Sequence, residues 1–177
     1  MSPVDPRQLR DACGLFGTGV NVIATRHAGG DHGMTANAFM SISLDPPLIS
    51  VSIGERAKIL PHLQQTGRFS VSTLAEGAER LAWHFAGRPI EGLANPFTDL
   101  DRLPVIRGAL AAYACDVVKE VQAGDHAIFI GHVGDAAAAT CALVVIPNLT
   151  RGGASYGLIE NVVTDAAHRK RGHGRRV

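Results

Sequence analysis

Aromatic residues are scarce in this 177-residue chain: six Phe, two Tyr and one Trp make up 5% of it. That argues against an aromatic-lined binding surface, and together with 20 glycines it points to tight turns and small-residue packing. Cysteine is also rare. Cys13, Cys115 and Cys141 are odd in number, far apart and outside any CxxC or Cys/His cluster. No disulfide framework and no metal site is therefore indicated, and reduced thiols in the cytoplasm are the expectation. No apolar run approaches the roughly 18 residues of a membrane span, and the start MSPVDPRQ lacks the basic-then-apolar pattern of an export signal. Neither sign of charge dominates, with 17 Lys and Arg against 16 Asp and Glu, so nothing marks nucleic acid or a membrane as a partner. Five of the basic groups (Arg169, Lys170, Arg171, Arg175 and Arg176) sit in the last nine residues, which leaves a mildly acidic body and a basic tail. Neither a Ser/His/Asp set nor a carboxylate pair stands out.

What is present is one core's worth of apolar residues, 46% of the chain, arranged mainly at strand period. Asp5-Pro6 is a helix start, and Leu9, Ala12, Cys13 and Phe16 follow at helical spacing until Gly17 and Gly19. Val20–Thr25 reads as a strand, residues 27–31 as its turn, and Gly33–Leu44 as a second strand, broken or bulged, before Asp45-Pro46-Pro47. Ile49, Val51 and Ile53 alternate with Ser50 and Ser52, the pattern of a half-buried strand. Lys58–Gln65 looks helical, Phe69–Leu74 extended, and Ala78, Leu81, Ala82 and Phe85 mark a second amphipathic helix. Residues 88–104 read as loop. Leu110–Val121 and Ala127–Ala136 are long strands joined at Ala123-Gly124-Asp125, with one more strand at Ala142–Ile146. Short links between successive strands favour a mainly β protein, an antiparallel sheet closed or nearly closed into a small barrel with flanking helices. Gly14–Gly19 (GLFGTG) follows a helix and precedes a strand, the reverse of the order a dinucleotide-binding glycine loop needs.

Five segments, in order and at matching spacing, resemble the flavin reductase family. They are Phe16–Thr25, Gly33–Phe39 with Ser41–Leu48, Gly67–Ser72, and Gly124–Val133, so that about residues 8–135 are covered. The resemblance implies an antiparallel split β-barrel, usually a homodimer. It implies a domain over residues 1–138, with 139–177 as a separate C-terminal segment. It further implies a hydride passed from NADH or NADPH to FMN or FAD, with the reduced flavin released to a flavin-dependent monooxygenase. The absence of a nucleophile or acid pair agrees with cofactor chemistry, for which the protein supplies placement and electrostatics.

Within that resemblance, Met34, Thr35, Ala36 and Asn37 offer backbone groups and one side-chain amide to the polar edge of a flavin ring. The plain alternative is a strand ending in a turn-forming Asn. Ser41 and Ser43, two apart, are expected on one side of a strand, facing the ribityl chain or phosphate, or simply solvent. Arg56, Ala57 and Lys58 precede a helix, where a phosphate is favoured, although the family often carries hydroxyl residues where Ala57 and Lys58 stand. His126, just after the Gly124-Asp125 turn, is expected to position the nicotinamide, against the alternative of an ordinary surface histidine. Phe85 and Trp83 are expected to pack in the core or beside the flavin, His132 to be structural, and Cys115 to be a buried strand residue.

The last 40 or so residues carry a second resemblance. Leu143–Arg151 and Ile159–Thr164 resemble a strand pair of GNAT-superfamily acetyltransferases, and Arg169–Gly174 resembles their R-x-x-G-x-G loop. The chain stops where the helix behind such a loop would begin, so a working acetyltransferase is not expected. Arg151-Gly152-Gly153 and Tyr156 also resemble a closing strand of the reductases, and the sequence leaves that choice open. Two further readings remain beside the reductase: a non-catalytic flavin- or haem-binding split barrel, and an impaired chimera with a foreign tail.

Overall fold

The computed structural model describes residues 4–146 and 156–164, with side chains through residue 136. A short helix, α1 (Pro6–Cys13), precedes four strands: β1 (Asn21–His27), β2 (Gly30–Ala36), β3 (Phe39–Leu44) and β4 (Pro47–Gly54). Helix α2 (Leu60–Thr66), strand β5 (Arg68–Thr73) and helix α3 (Glu79–Phe85) follow, then β6 (Phe97–Leu100) and β7 (Leu103–Ile106). The long strands β8 (Ala111–Ala123) and β9 (His126–Ile146) come next, and β10 (Tyr156–Thr164) pairs antiparallel with the end of β9.

The main sheet runs in the order β2-β1-β5-β8-β9-β4-β3, every neighbouring pair antiparallel. Its two outer strands, β2 and β3, are consecutive in sequence and joined only by Asn37 and Ala38. A flat sheet of this order, at about 4.8 Å per strand, would hold its edges about 29 Å apart. The link from Ala36 to Phe39 spans at most about 11 Å. The sheet must therefore curl until its edges approach each other, and this makes it a split barrel.

The core fills that curl. Ile23 of β1, Ile49, Val51 and Ile53 of β4, Phe69 and Val71 of β5, Cys115 of β8 and Phe129 of β9 are all buried, with Ile59 and Leu63 closing one end. The alternation at residues 49, 51 and 53 thus marks the inner face of β4, as its period requires. Gly131 on β9 allows the closest approach: a Cβ there would lie 2.6 Å from Phe69 Cζ and 2.8 Å from Cys115 Cβ. The glycine in the Gly124–Val133 segment is therefore a packing requirement of the barrel.

Two expectations need correction. Residues 88–104 are not all loop, because β6 and β7 form a hairpin turning through Asp101 and Arg102, both at positive φ (45° and 62°). Asp-Arg replaces the usual Asn-Gly signal of such a turn, and Pro104 inside β7 argues against a strand; both features hid it. All of β7 is buried, packed over β1 and β5, and Ser70 Oγ donates to Pro104 O. The first helix also differs. Asp5 caps it, Oδ1 accepting from Arg7 N at 2.7 Å and Gln8 N at 3.3 Å, but it ends at Cys13 with Gly14 as cap. None of its residues is buried, and Leu9 and Phe16 are 55% and 77% exposed. Periodicity fixes which face of a helix is apolar, not what covers it.

Gly131→Ala should destabilise the protein by about 1–3 kcal/mol through overpacking against Phe69, read as a lower urea midpoint at unchanged slope. Burial pushes the Cys115 thiol up to about 12 from an ordinary value of 9.0. The folded state then holds a proton that the unfolded chain releases, so this contribution to stability is intact below about pH 9 and is lost as pH rises toward 12. In residue-resolved alkylation of native protein, Cys13, which is exposed, should label readily and Cys115 only on unfolding.

Candidate functional site

The β8–β9 hairpin turns at Gly124, whose φ of +64° suits the missing Cβ. His126 opens β9, paired with Gly54 at the end of β4, and its ring lies over that glycine, with Nε2 3.6 Å from where a Cβ would stand. After Gly54 the chain turns, Ala57 N donating to Gly54 O at 2.9 Å and Glu55 N to Asp125 O at 3.0 Å. Gln122 Nε2 ties the two segments by donating to Glu55 Oε1 (2.6 Å) and to Gly124 O (3.1 Å). Between them lies a cleft of about 340 Å³ lined by Gly54, Glu55, Arg56, Asp125 and His126.

Asp125 Oδ1 lies 2.7 Å from His126 Nδ1. A carboxylate can only accept, so Nδ1 carries the proton, and in the neutral ring Nε2 is left as an acceptor on the Gly54 side. The hydrogen bond to His126 holds the Asp125 carboxyl below its ordinary range, with the His126 and Arg56 charges adding in the same direction. Two residues singled out in the sequence, Arg56 and His126, are thus brought to one cleft. Glu55 and Gln122, which hold its walls, were missed because neither spacing nor residue type distinguishes them.

The Arg56-Ala57-Lys58 group does not act as one unit. Helix α2 begins only at Leu60, so the three residues form a turn ahead of it. Arg56 lines the His126 cleft, Ala57 packs against the core, and the Lys58 charge acts on His32. On β2, Met34 and Ala36 turn their side chains to the core. Thr35 points the other way and its Oγ1 donates to Ala82 O of α3 at 2.7 Å. What this stretch offers a ligand is mainly backbone. Asn37 is exposed in the break between β2 and β3, its carbonyl accepting from Phe39 N at 2.8 Å.

Ser41 and Ser43 do not share a face. The register slips between them, so that they sit opposite Ile49 and Leu48, which point to opposite sides. Ser41 is exposed, while Ser43 Oγ accepts from Asp45 N at 3.2 Å. Phe85 packs flat against β2, where a Cβ at Gly33 would meet its Cε1 at 2.8 Å, with Phe97 beside it. Trp83 is not a core residue: it is 53% exposed, with the Arg88 guanidinium 4.3 Å from its ring centroid. It borders a second, more apolar cavity of about 390 Å³ between Val20, Leu74, Ala78 at the start of α3 and Ala82 within it. No helix among the described residues is long and apolar enough to cross a membrane.

Comparison with known proteins gives this geometry a family. Residues 13–146 match the flavin reductase like domain, a span that includes the whole of β9. The acetyltransferase-like reading gains no support where this match overlaps it, and Arg169–Gly174 lies outside the described residues. The reductase component of 4-hydroxyphenylacetate 3-monooxygenase from Thermus thermophilus is 45% identical over 125 residues, covering 71% of this chain and 80% of that protein. An NADH-dependent flavin reductase from a Rhodococcus species is 43% identical over 133 residues, covering 73% and 76%. The solved structure of flavin reductase PheA2 in its native state superposes with a TM-score of 0.74 at 45% identity, covering 88% of this chain and 99% of that one. By domain, by sequence and by its split barrel, the chain belongs to the flavin reductase-like family.

Proposed function

We propose that this chain is an NAD(P)H:flavin oxidoreductase that supplies reduced FMN or FAD to a separate flavin-dependent monooxygenase. The observation that carries this reading is the domain match across residues 13–146 together with relatives named as reductases of this kind. When bound, the flavin supplies the redox chemistry, accepting a hydride from the reduced nicotinamide.

The residues present fit such a group. Among the described strands β2 pairs only with β1 and β3 only with β4, so their outer backbone groups remain available at the split in the barrel. Amides around Met34–Asn37 can bond the polar edge of a flavin ring that leaves water. Ser41, exposed on β3, suits the ribityl chain, and Arg56 supplies a cation for the phosphate. Phe85 then acts indirectly, by packing on Gly33 and holding β2 in place. His126 is the positioning residue for the nicotinamide: with Nδ1 engaged by Asp125, its Nε2 would accept from the carboxamide N–H.

In the same reading two copies associate. The support is apolar surface at α1 and just after it, where Leu9, Leu15 and Phe16 are exposed, and at β3, where Met40 and Leu44 are 60% and 91% exposed. The protein works in the cytoplasm, where reduced nicotinamide nucleotides are available, and the basic tail takes no part in hydride transfer.

The purified protein should oxidise NADH or NADPH only when FMN or FAD is added, followed by loss of nicotinamide absorbance. Flavin bound without any oxidation of either nucleotide would favour the non-catalytic split-barrel reading. A folded sample that neither binds nor turns over flavin would favour the impaired chimera. His126→Ala removes one neutral hydrogen bond of about 0.5–1.5 kcal/mol, so KM for the nucleotide should rise about 2- to 10-fold. Flavin affinity should stay nearly unchanged, and an equal loss in both would return His126 to a structural role.

A further inference from the structure

We propose that His27, His32 and His62 form a binding site for one divalent transition-metal ion, of the Zn²⁺, Co²⁺ or Ni²⁺ class. One nitrogen from each ring lies within 4.8 Å of the other two. The His27 and His62 rings are stacked, with centroids 3.9 Å apart and planes 2° from parallel, and the His32 ring lies 5.2 Å from that of His62. All three side chains are half-buried, which leaves an ion a path in from solvent.

The fold makes this cluster by pairing and docking. His32 lies directly opposite Thr25 in the β1–β2 register, and His27 is two residues beyond Thr25 on the same face. Thr25 Oγ1 is 3.0 Å from Thr66 Oγ1 and donates to Arg68 O at 2.9 Å, pinning the last turn of α2 over that face. Thr66 Oγ1 also donates to His62 O at 2.9 Å, one turn earlier, so His62 is held above the hairpin.

Three imidazoles with no carboxylate among them suit borderline ions, not Mg²⁺ or Ca²⁺, which prefer oxygen ligands. Tetrahedral coordination at about 2.0–2.1 Å per bond sets nitrogens about 3.4 Å apart. The most distant pair must therefore close by about 1.4 Å or less, within the reach of side-chain rotation. Parallel rings cannot direct their lone pairs to one point, so the His27–His62 stack must open. His27 Nδ1 also accepts from Gly29 N at 3.0 Å, and turning that ring sacrifices the bond. With that loss and the nearby Lys58 charge, affinity should fall on the order of 1–10 µM, weaker than a structural zinc site.

The test is titration of the full chain with Co²⁺, read by its visible ligand-field bands, and with Zn²⁺ by calorimetry. One saturable ion at the cluster is expected, and His32→Ala and His62→Ala should each weaken it at least 10-fold. His62→Gln keeps a polar side chain in place and serves if the alanine variant does not fold, as judged by circular dichroism. His168 and His173 remain in every variant, so binding through the tail would persist unchanged. No saturable binding below about 1 mM, or variants that titrate like the wild-type chain, overturns the proposal. The readout involves neither flavin nor nucleotide and is independent of the reductase activity.

Discussion

Asn37 and Ala38 join the two outermost strands of a seven-strand order, and so short a link can be accommodated only by curling the sheet. The consequences run through the molecule. Curling turns the inner faces of β1, β4, β5, β8 and β9 onto one another, which creates the core around Phe69 and Phe129. The closure brings β2 and β3 together without pairing them to each other, and among the described strands their outer backbone groups take no strand partner. The same constraint thus builds the core and leaves the split open.

Inside the curl, the tightest fit is that of Phe69 on Gly131 and Cys115. Close-packed interiors tolerate little added volume, so this contact fixes how near the inner faces of β9 and β5 approach over the intervening β8. It matters for the site as well, because β9 begins at His126 and pairs with β4 from Leu48 to Gly54. The position of the imidazole over Gly54 therefore inherits the rigidity of that ladder. The Glu55, Gln122 and Asp125 contacts then set only the local geometry of the cleft.

Much of the strand framework was legible before any coordinates. Residues 49, 51 and 53 alternate because β4 has one buried face, and Ala123-Gly124-Asp125 reads as a hairpin because a positive φ is needed there. Where sequence reasoning missed, it missed for identifiable reasons. The β6–β7 hairpin carries Asp-Arg in its turn and Pro104 in its second strand, so both usual signals point the wrong way. Even spacing put Ser41 and Ser43 on one face, but the register shift falls between them, a position that a strand read only as broken or bulged does not fix, and it moves one of them to the other side. The acetyltransferase-like resemblance of the tail was carried by short runs of common residues, and the domain match runs through the part of it that lies in β9.

By itself the sequence determined the family, the antiparallel strands and their inward-facing residues, and the candidacy of Arg56 and His126. These follow from local pattern, since strand period, turn chemistry and ordered motifs are properties of neighbouring residues. Only the tertiary structure decided that Arg56 lines the His126 cleft while the Lys58 charge acts on His32, and that α1 stays uncovered by the described residues. It alone brought His62 onto His27 and His32, which lie 35 and 30 positions earlier in the chain. Those outcomes depend on strand register and on how a helix docks, and contacts between distant residues leave no mark in the spacing of either partner.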